Sequence, residues 1–190
     1  MDKVYGKKLR RTFLLEGLPE PLTATDRHLQ LFDNYIEGTR LRIRTLRIPE
    51  TGEWRWFLEQ RFPISEDLSS WKHVQVALNE VEHGKLEHLE GREIRKNRYF
   101  HTEDGREVAI DVYLGALWGL NVATVEFADE AEMTAFQMPA FAAIEVTSNR
   151  FFYGESLVSK KFTDVQAAVE AIVSGRDSSR GAAEVANCEE

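Results

Sequence analysis

Positively charged side chains alternate with apolar ones in several segments of this 190-residue chain. In the clearest segment, Leu41 and Ile43 would point to one side of a strand and the intervening arginines to the other side. Arginine forms paired hydrogen bonds with phosphate oxygens and lysine adds a compact positive charge, so these residues suit a bound polyanion. The candidate phosphate-binding residues are Lys8, Arg10, Arg40, Arg42, Arg44, Arg61, Lys96 and Arg98.

Acidic side chains on the same predicted strands are fewer. Mg²⁺ and Mn²⁺ take several oxygen ligands, usually carboxylates together with phosphate and water. The candidate metal ligands are Asp111, Glu126 and Glu59. Eight cations against three acids would give a shared interior a net charge of about +5, although the whole protein carries −8.

Alternation of this kind recurs along most of the chain and predicts one antiparallel β domain with peripheral helices. Turn signals at 51–52 and 103–105 join two successive pairs of strands. The predicted strands are 7–15, 39–48, 53–62, 72–78, 93–101, 107–114, 120–127 and 142–147. The predicted helices are 79–89 with Asn79 as N-cap, 129–136, and 163–174 with Thr163 as N-cap.

Two architectures could place charge at alternate positions of so many strands. An open sheet would turn that face to water, whereas a closed barrel would enclose it as a polar lumen and leave the apolar face for covering helices. Alternation alone does not decide between them.

Composition excludes several classes of protein. The length suits one domain, which we place at 1–175, followed by a small polar segment at 176–190 that reads as a mobile tail. A single cysteine, Cys188, rules out an internal disulfide and a cysteine-rich zinc site. No apolar run reaches the about 18 residues of a membrane helix, and no secretory signal is evident. The acid excess argues against nucleic-acid binding by bulk charge, and a cytoplasmic location is expected.

Four blocks of residues together carry a family resemblance. They are Arg40–Arg44 (RLRIR), Phe57–Arg61 (FLEQR), Arg95–Tyr99 (RKNRY) ahead of Asp111–Tyr113 (DVY), and Gly119–Phe127 (GLNVATVEF). In this order and spacing, from about Lys7 to Phe162, the chain resembles the CYTH domain of the triphosphate tunnel metalloenzyme superfamily.

The resemblance implies a mainly β (α+β) fold, a closed antiparallel eight-stranded β-tunnel with peripheral helices. In such tunnels basic residues hold a triphosphate and acidic residues hold a divalent metal, so it implies Mg²⁺ or Mn²⁺ as cofactor of any active enzyme. Activities in the family include class IV adenylate cyclase, thiamine triphosphatase and inorganic triphosphatase.

The chain departs from the family pattern at its acidic positions. The family opens with Glu-x-Glu-x-Lys, and an alignment on Phe13 places Lys8, Arg10 and Thr12 there. A further family carboxylate corresponds to Thr124, and the acid two positions before Asp111 is Ala109. The acidic strand Arg-x-Glu-x-Glu has no clean match in Ser70–Leu78.

These departures favour binding of a small phosphorylated anion over catalysis. At roughly 4 Å and an effective dielectric of 20, a divalent ion and one cationic side chain repel by about 8 kcal/mol. Two alternatives remain. Asp111 and Glu126 could still support a metal-dependent triphosphatase or nucleotidyl cyclase. Alternatively, Lys8 and Arg10 could pair with these two acids, which would leave an occluded barrel with a structural or interaction role.

Overall fold

One continuous antiparallel sheet forms the body of the protein. This computed structural model describes the backbone of residues 3–175 and the side chains of residues 6–175, so the predicted tail at 176–190 lies outside the described residues. The strands are β1 (Lys3–Leu15), β2 (Leu29–Ile36), β3 (Leu41–Ile48), β4 (Glu53–Pro63), β5 (Ser70–Leu78), β6 (Gly91–Glu103), β7 (Arg106–Tyr113), β8 (Asn121–Phe127) and β9 (Ile144–Glu145).

Eight of these strands close into a barrel because β1 pairs with two different neighbours. The sheet runs in the order β5-β4-β3-β2-β6-β7-β8-β1, and β1 also pairs with β5. The first part of β1, from Lys3 to Leu9, pairs with β5, and the second part, from Leu9 to Leu15, pairs with β8. This closed antiparallel eight-stranded barrel confirms the predicted fold class.

One barrel strand was not predicted from the sequence, and one predicted strand is nearly absent. The segment 29–36 forms β2, although its apolar residues occur at both alternating positions: Leu31 is buried, whereas Phe32 pairs with the partly exposed Trp54. The predicted strand at 142–147 shortens to the two residues of β9, which bond to β1 at the position where β5 has already ended.

The helices lie outside the barrel or across one end of it. They are α1 (Glu80–Leu86), α2 (Glu130–Ala135), α3 (Gly154–Leu157) and α4 (Phe162–Val173). Asn79 caps α1 as predicted. Thr163 as the cap of α4 was wrong, because Asp164 accepts the backbone N–H of Lys161 at 2.8 Å and the helix begins earlier. Among residues 3–175, no helix combines the length and apolarity that a membrane span needs.

Two apolar clusters hold the barrel in shape. The outward faces of β1, β7 and β8 pack beneath α2 and the segment after it, through residues such as Phe13 and Phe136. The second cluster fills one end of the barrel, where Leu14 and Val122 meet Phe152 and Leu157. With that end closed by apolar side chains, the polar part of the lumen opens toward the other end.

Candidate functional site

The lumen holds a cavity of about 390 Å³ whose lining includes most of the cations predicted from the sequence. Alternation along each strand turns these side chains inward and their apolar neighbours outward. The predicted cations on its lining are Arg10, Arg40, Arg42, Arg61, Lys96 and Arg98. Arg44 is buried behind this lining, and Lys8 is partly exposed near its rim.

Asp33 on β2, which no sequence pattern predicted as a site residue, is fully buried and organises one side of the lumen. Arg44 donates to its two oxygens at 2.6 and 2.7 Å, and Arg42 donates at 3.2 Å. Lys96 lies 3.8 Å away. Burial by itself would raise the pKa of Asp33, but the charges of Arg42 and Arg44 outweigh it and hold that pKa well below its usual value.

Glu59 on β4 binds the opposite side of the same arginine pair. Arg42 donates to one of its oxygens, and Gln75 donates to the other at 2.7 Å. Arg44 and Arg61 each lie 3.7 Å from it. Burial raises the pKa of Glu59, and the nearby guanidinium charges lower it by more, so the carboxylate stays ionised.

Asp111 on β7 is the third buried acid, and it too is held by cations. Arg98 donates to both of its oxygens, at 2.6 and 2.7 Å, and Lys96 donates at 2.7 Å. Lys96 therefore stands between Asp111 and Asp33 and links the two groups of ion pairs.

The rim of the cavity differs from what an occluded barrel requires. Lys8 pairs with Glu126 at 2.6 Å, as that alternative predicted, but both side chains are substantially exposed, by 39% and 55%. Arg10 does not pair with Asp111. Its guanidinium lies over the rings of Trp71 at 4.6 Å and Tyr153 at 4.9 Å, a cation–π arrangement that leaves the cavity open.

The three predicted metal ligands do not come together. Asp111 and Glu59 are enclosed by cations, and Glu126 is paired with Lys8 at the rim. Within residues 3–175 no group of three or more His, Cys, Asp or Glu side chains is arranged to hold a metal ion. The residues at these positions therefore do not fit Mg²⁺ or Mn²⁺, because cations occupy the space that a divalent ion needs.

Positive charge remains in excess around the cavity. The buried or half-buried charges are those of Arg10, Arg42, Arg44, Arg61, Lys96 and Arg98 against Asp33, Glu59 and Asp111, a net charge of about +3. It is lower than the about +5 expected because Lys8 and Arg40 are not enclosed and Asp33 adds an acid that was not predicted, while Glu126 lies at the rim. The Nε atoms of Arg10 and Arg61 are buried without a hydrogen-bond partner. Burial, followed by the charge of Arg42, lowers the pKa of Arg61 to about 9. Burial also lowers the pKa of Lys96 to about 8, despite the neighbouring Asp111.

His73 is a second interior residue that the sequence did not single out as part of the site. It is buried opposite Arg61 in the β4–β5 register, and neither ring nitrogen has a hydrogen-bond partner. Burial lowers the pKa of His73 by more than Glu59, 3.7 Å away, raises it, so the neutral ring is favoured. The alternation of His73 with Trp71 and Gln75 indicates the face of the strand on which it lies, but no feature of the sequence distinguishes it from an ordinary strand residue.

Replacing Asp33 by Asn should destabilise the protein by about 3–5 kcal/mol at pH 7, because it leaves Arg42 and Arg44 with one buried acid fewer. The pKa of Asp33 is lowered in the folded state, so its stabilisation is present above pH about 4 and is lost as the pH falls further. Urea unfolding at a series of pH values checks both points.

The matched control is Glu53→Gln, since Glu53 forms only an exposed pair with Arg55 and should matter little. If the free energies of unfolding of the wild type and Asp33→Asn differ by the same amount down to pH 2.5, the predicted link between the Asp33 pKa and stability is contradicted.

Comparison with known proteins identifies the fold. No protein-family model matches the chain, and no curated protein matches it in sequence. Two solved structures of NE1496 do match in three dimensions. One, described as a hypothetical protein, has 21% identity and a TM-score of 0.56, and the match covers 81% of this chain and 99% of that one. The other, described as an inorganic triphosphatase, has 24% identity and a TM-score of 0.54, and the match covers 80% and 93%.

At this level of identity the match establishes the fold, and it agrees with the strand order and closure of the barrel. The chain has the CYTH-like tunnel fold that its sequence resembles.

Proposed function

We propose that this protein binds a triphosphate-type polyanion in its cationic tunnel. The observation that carries the proposal is the pair Arg10 and Arg61, whose buried Nε donors have no partner and whose side chains line the open cavity. A buried donor without an acceptor costs about 1–3 kcal/mol, and more when it is charged. An anion in the cavity, toward which these guanidinium groups turn, would supply that acceptor.

Charge and size support the same ligand class. The cavity of about 390 Å³ falls within the roughly 300–1,000 Å³ of small-molecule sites. Excess positive charge around it destabilises the ligand-free protein, so a polyanion that relieves the repulsion binds to the folded state and stabilises it. Arginine forks at several points of the lining suit a chain of phosphates rather than a single one.

The similarity to NE1496 adds support of a different kind, since that protein is described as an inorganic triphosphatase. For the present chain we propose binding of such a ligand, with hydrolysis slow or absent. Phosphoryl transfer depends mainly on positioned positive charge and metal. The positive charge is present here, but the acids that could hold metal are bound to arginine and lysine.

Tripolyphosphate should raise the melting temperature at low ionic strength, and 0.5 M salt should weaken the effect. Arg61→Gln should remove most of the shift, because the ligand loses a donor, while leaving the ligand-free protein as stable as before or more stable. Differential scanning calorimetry with and without millimolar tripolyphosphate measures both.

Arg95→Gln is the control, because Arg95 belongs to the other face of β6, is 62% exposed and pairs with Glu93. If tripolyphosphate raises the melting temperature of Arg61→Gln as much as that of the wild type, binding in the tunnel is contradicted. The same holds if Arg95→Gln loses as much of the rise as Arg61→Gln does.

Affinity for tripolyphosphate should fall as the pH rises from 7 to 9.5. Lys96 has a pKa of about 8 in the free protein and would be held protonated by the ligand, so binding above pH 8 requires proton uptake. Lys96→Arg should remove most of this dependence between pH 7 and about 8.5, because the higher intrinsic pKa of arginine keeps position 96 charged there and Arg61, whose pKa is about 9, titrates mainly above that range. Calorimetric titration of both proteins at each pH separates the contribution of Lys96 from the protonation of tripolyphosphate itself, which is the same for both proteins. Identical pH profiles of affinity would contradict the role assigned to Lys96.

Hydrolysis of tripolyphosphate or ATP with Mg²⁺ or Mn²⁺ should be very slow or absent. The reason is that Glu59 and Asp111 are neutralised by buried cations and Lys8 neutralises Glu126. Phosphate release at 1–10 mM metal tests this. Robust metal-dependent turnover that Glu126→Ala abolishes, with Glu107→Ala as the matched rim control, would show that the protein is an enzyme.

A further inference from the structure

Phe100 is an exposed aromatic side chain inside a polar tunnel. It follows Lys96 and Arg98 at alternate positions on β6, so it faces the same lumen, and it lines the cavity. It is 43% exposed, unlike the other aromatic rings of the lining, such as Trp71 and Tyr153, which are buried. Among residues 6–175 no aromatic ring or cation lies against its face.

The residues beside Phe100 around the barrel are small and uncharged. The strand registers pair Phe100 with Ala109, Ala109 with Thr124, and Thr124 with Thr12. All four side chains line the cavity, and we call them the neutral row. The row therefore runs across β6, β7, β8 and β1 and leaves open space beside the Phe100 ring.

The opposite side of the lumen carries positive charge. In the cyclic strand order, β7 and β8 lie across the barrel from β4 and β3. The strands β3 and β4 contribute Arg42 and Arg61 to the same cavity, and Arg40 directly precedes β3. The neutral row thus lies across the cavity from these three arginines, which we call the cationic wall, and charged residues of its own strands, such as Arg98, Asp111 and Glu126, line the cavity on either side of it.

An inorganic polyphosphate would use the cationic wall only. A chain of phosphates is charged along its whole length and gains nothing from an exposed apolar ring or from alanine. A nucleobase, in contrast, stacks favourably on an aromatic side chain through its π-face, whatever its hydrogen-bonding pattern.

We infer that the neutral row binds the base of a nucleoside triphosphate, with the base stacked on Phe100 and the phosphates turned toward Arg40, Arg42 and Arg61. This inference rests on the proposed function, since it names the part of the ligand that is not phosphate. It makes Phe100 a specificity-determining residue that separates nucleotides from inorganic polyphosphate.

The test compares ligands of equal charge with and without a base. Kd values for ATP, CTP and methyl triphosphate are measured calorimetrically, without divalent metal, on the wild type and on two variants. ATP or CTP should bind the wild type more tightly than methyl triphosphate does. Phe100→Ala should weaken nucleotide binding about 5-fold or more, in line with the contribution of one stacked base. Its Kd for methyl triphosphate should stay within about 2-fold.

Phe100→Tyr is the matched control, because it keeps the ring and should keep nucleotide affinity. If Phe100→Ala does not fold, nuclear Overhauser contacts between the base protons of ATP and the Phe100 ring of the wild-type protein replace it, and their absence overturns the inference. Equal Kd values for all three ligands, or an equal loss for all three in Phe100→Ala, overturns the inference but leaves the proposed function standing. Failure of methyl triphosphate and tripolyphosphate alike to bind refutes the proposed function itself.

Discussion

The structure depends on pairing charges inside a closed barrel. Asp33, Glu59 and Asp111 are buried, and each is fixed by at least two cations. Removing such charges from water costs several kcal/mol per ion, so the lumen can be polar only where acids and bases satisfy one another through good hydrogen bonds. The bidentate pairs formed by Arg44 and Arg98 have that geometry. The ion pairs that stabilise the barrel therefore also determine how its other cations are oriented.

This pairing also decides what chemistry the lumen can support. A carboxylate that accepts from two cations has few lone pairs and little net charge left for a divalent ion. Glu59 and Asp111 are occupied in this way, while Arg10 and Arg61 each keep an unpartnered donor. The tunnel therefore has an excess of hydrogen-bond donors over acceptors and of positive over negative charge. Such a surplus favours an anion and disfavours a metal ion.

How far the sequence predicts this arrangement depends on the strand. On β3 the alternation of arginine with Leu41 and Ile43 is regular enough to predict both the strand and its polar face, and the barrel confirms them. On β2 the inward face combines Leu31 with Asp33, and the outward face carries Phe32, so neither face is purely polar or apolar. Since Asp33 pairs with arginines on a neighbouring strand and with Lys96 on another, its importance is a long-range property that no local pattern expresses.

The rim shows how the side chain at one position of β1 determines the partner of a residue on β8. Cationic Arg10 would meet Glu126 directly across the β1–β8 register, yet its guanidinium turns to the rings of Trp71 and Tyr153. Glu126 pairs with Lys8 instead, which holds the charged pair at the solvent edge. The cations on β1 therefore do not fill the tunnel. They move outward or stack on its aromatic wall, so the space in front of the neutral row stays open. The cations of the lining and the small side chains of the neutral row thus leave positive charge and open space together, and both favour the proposed organic anion over a hydrated metal ion.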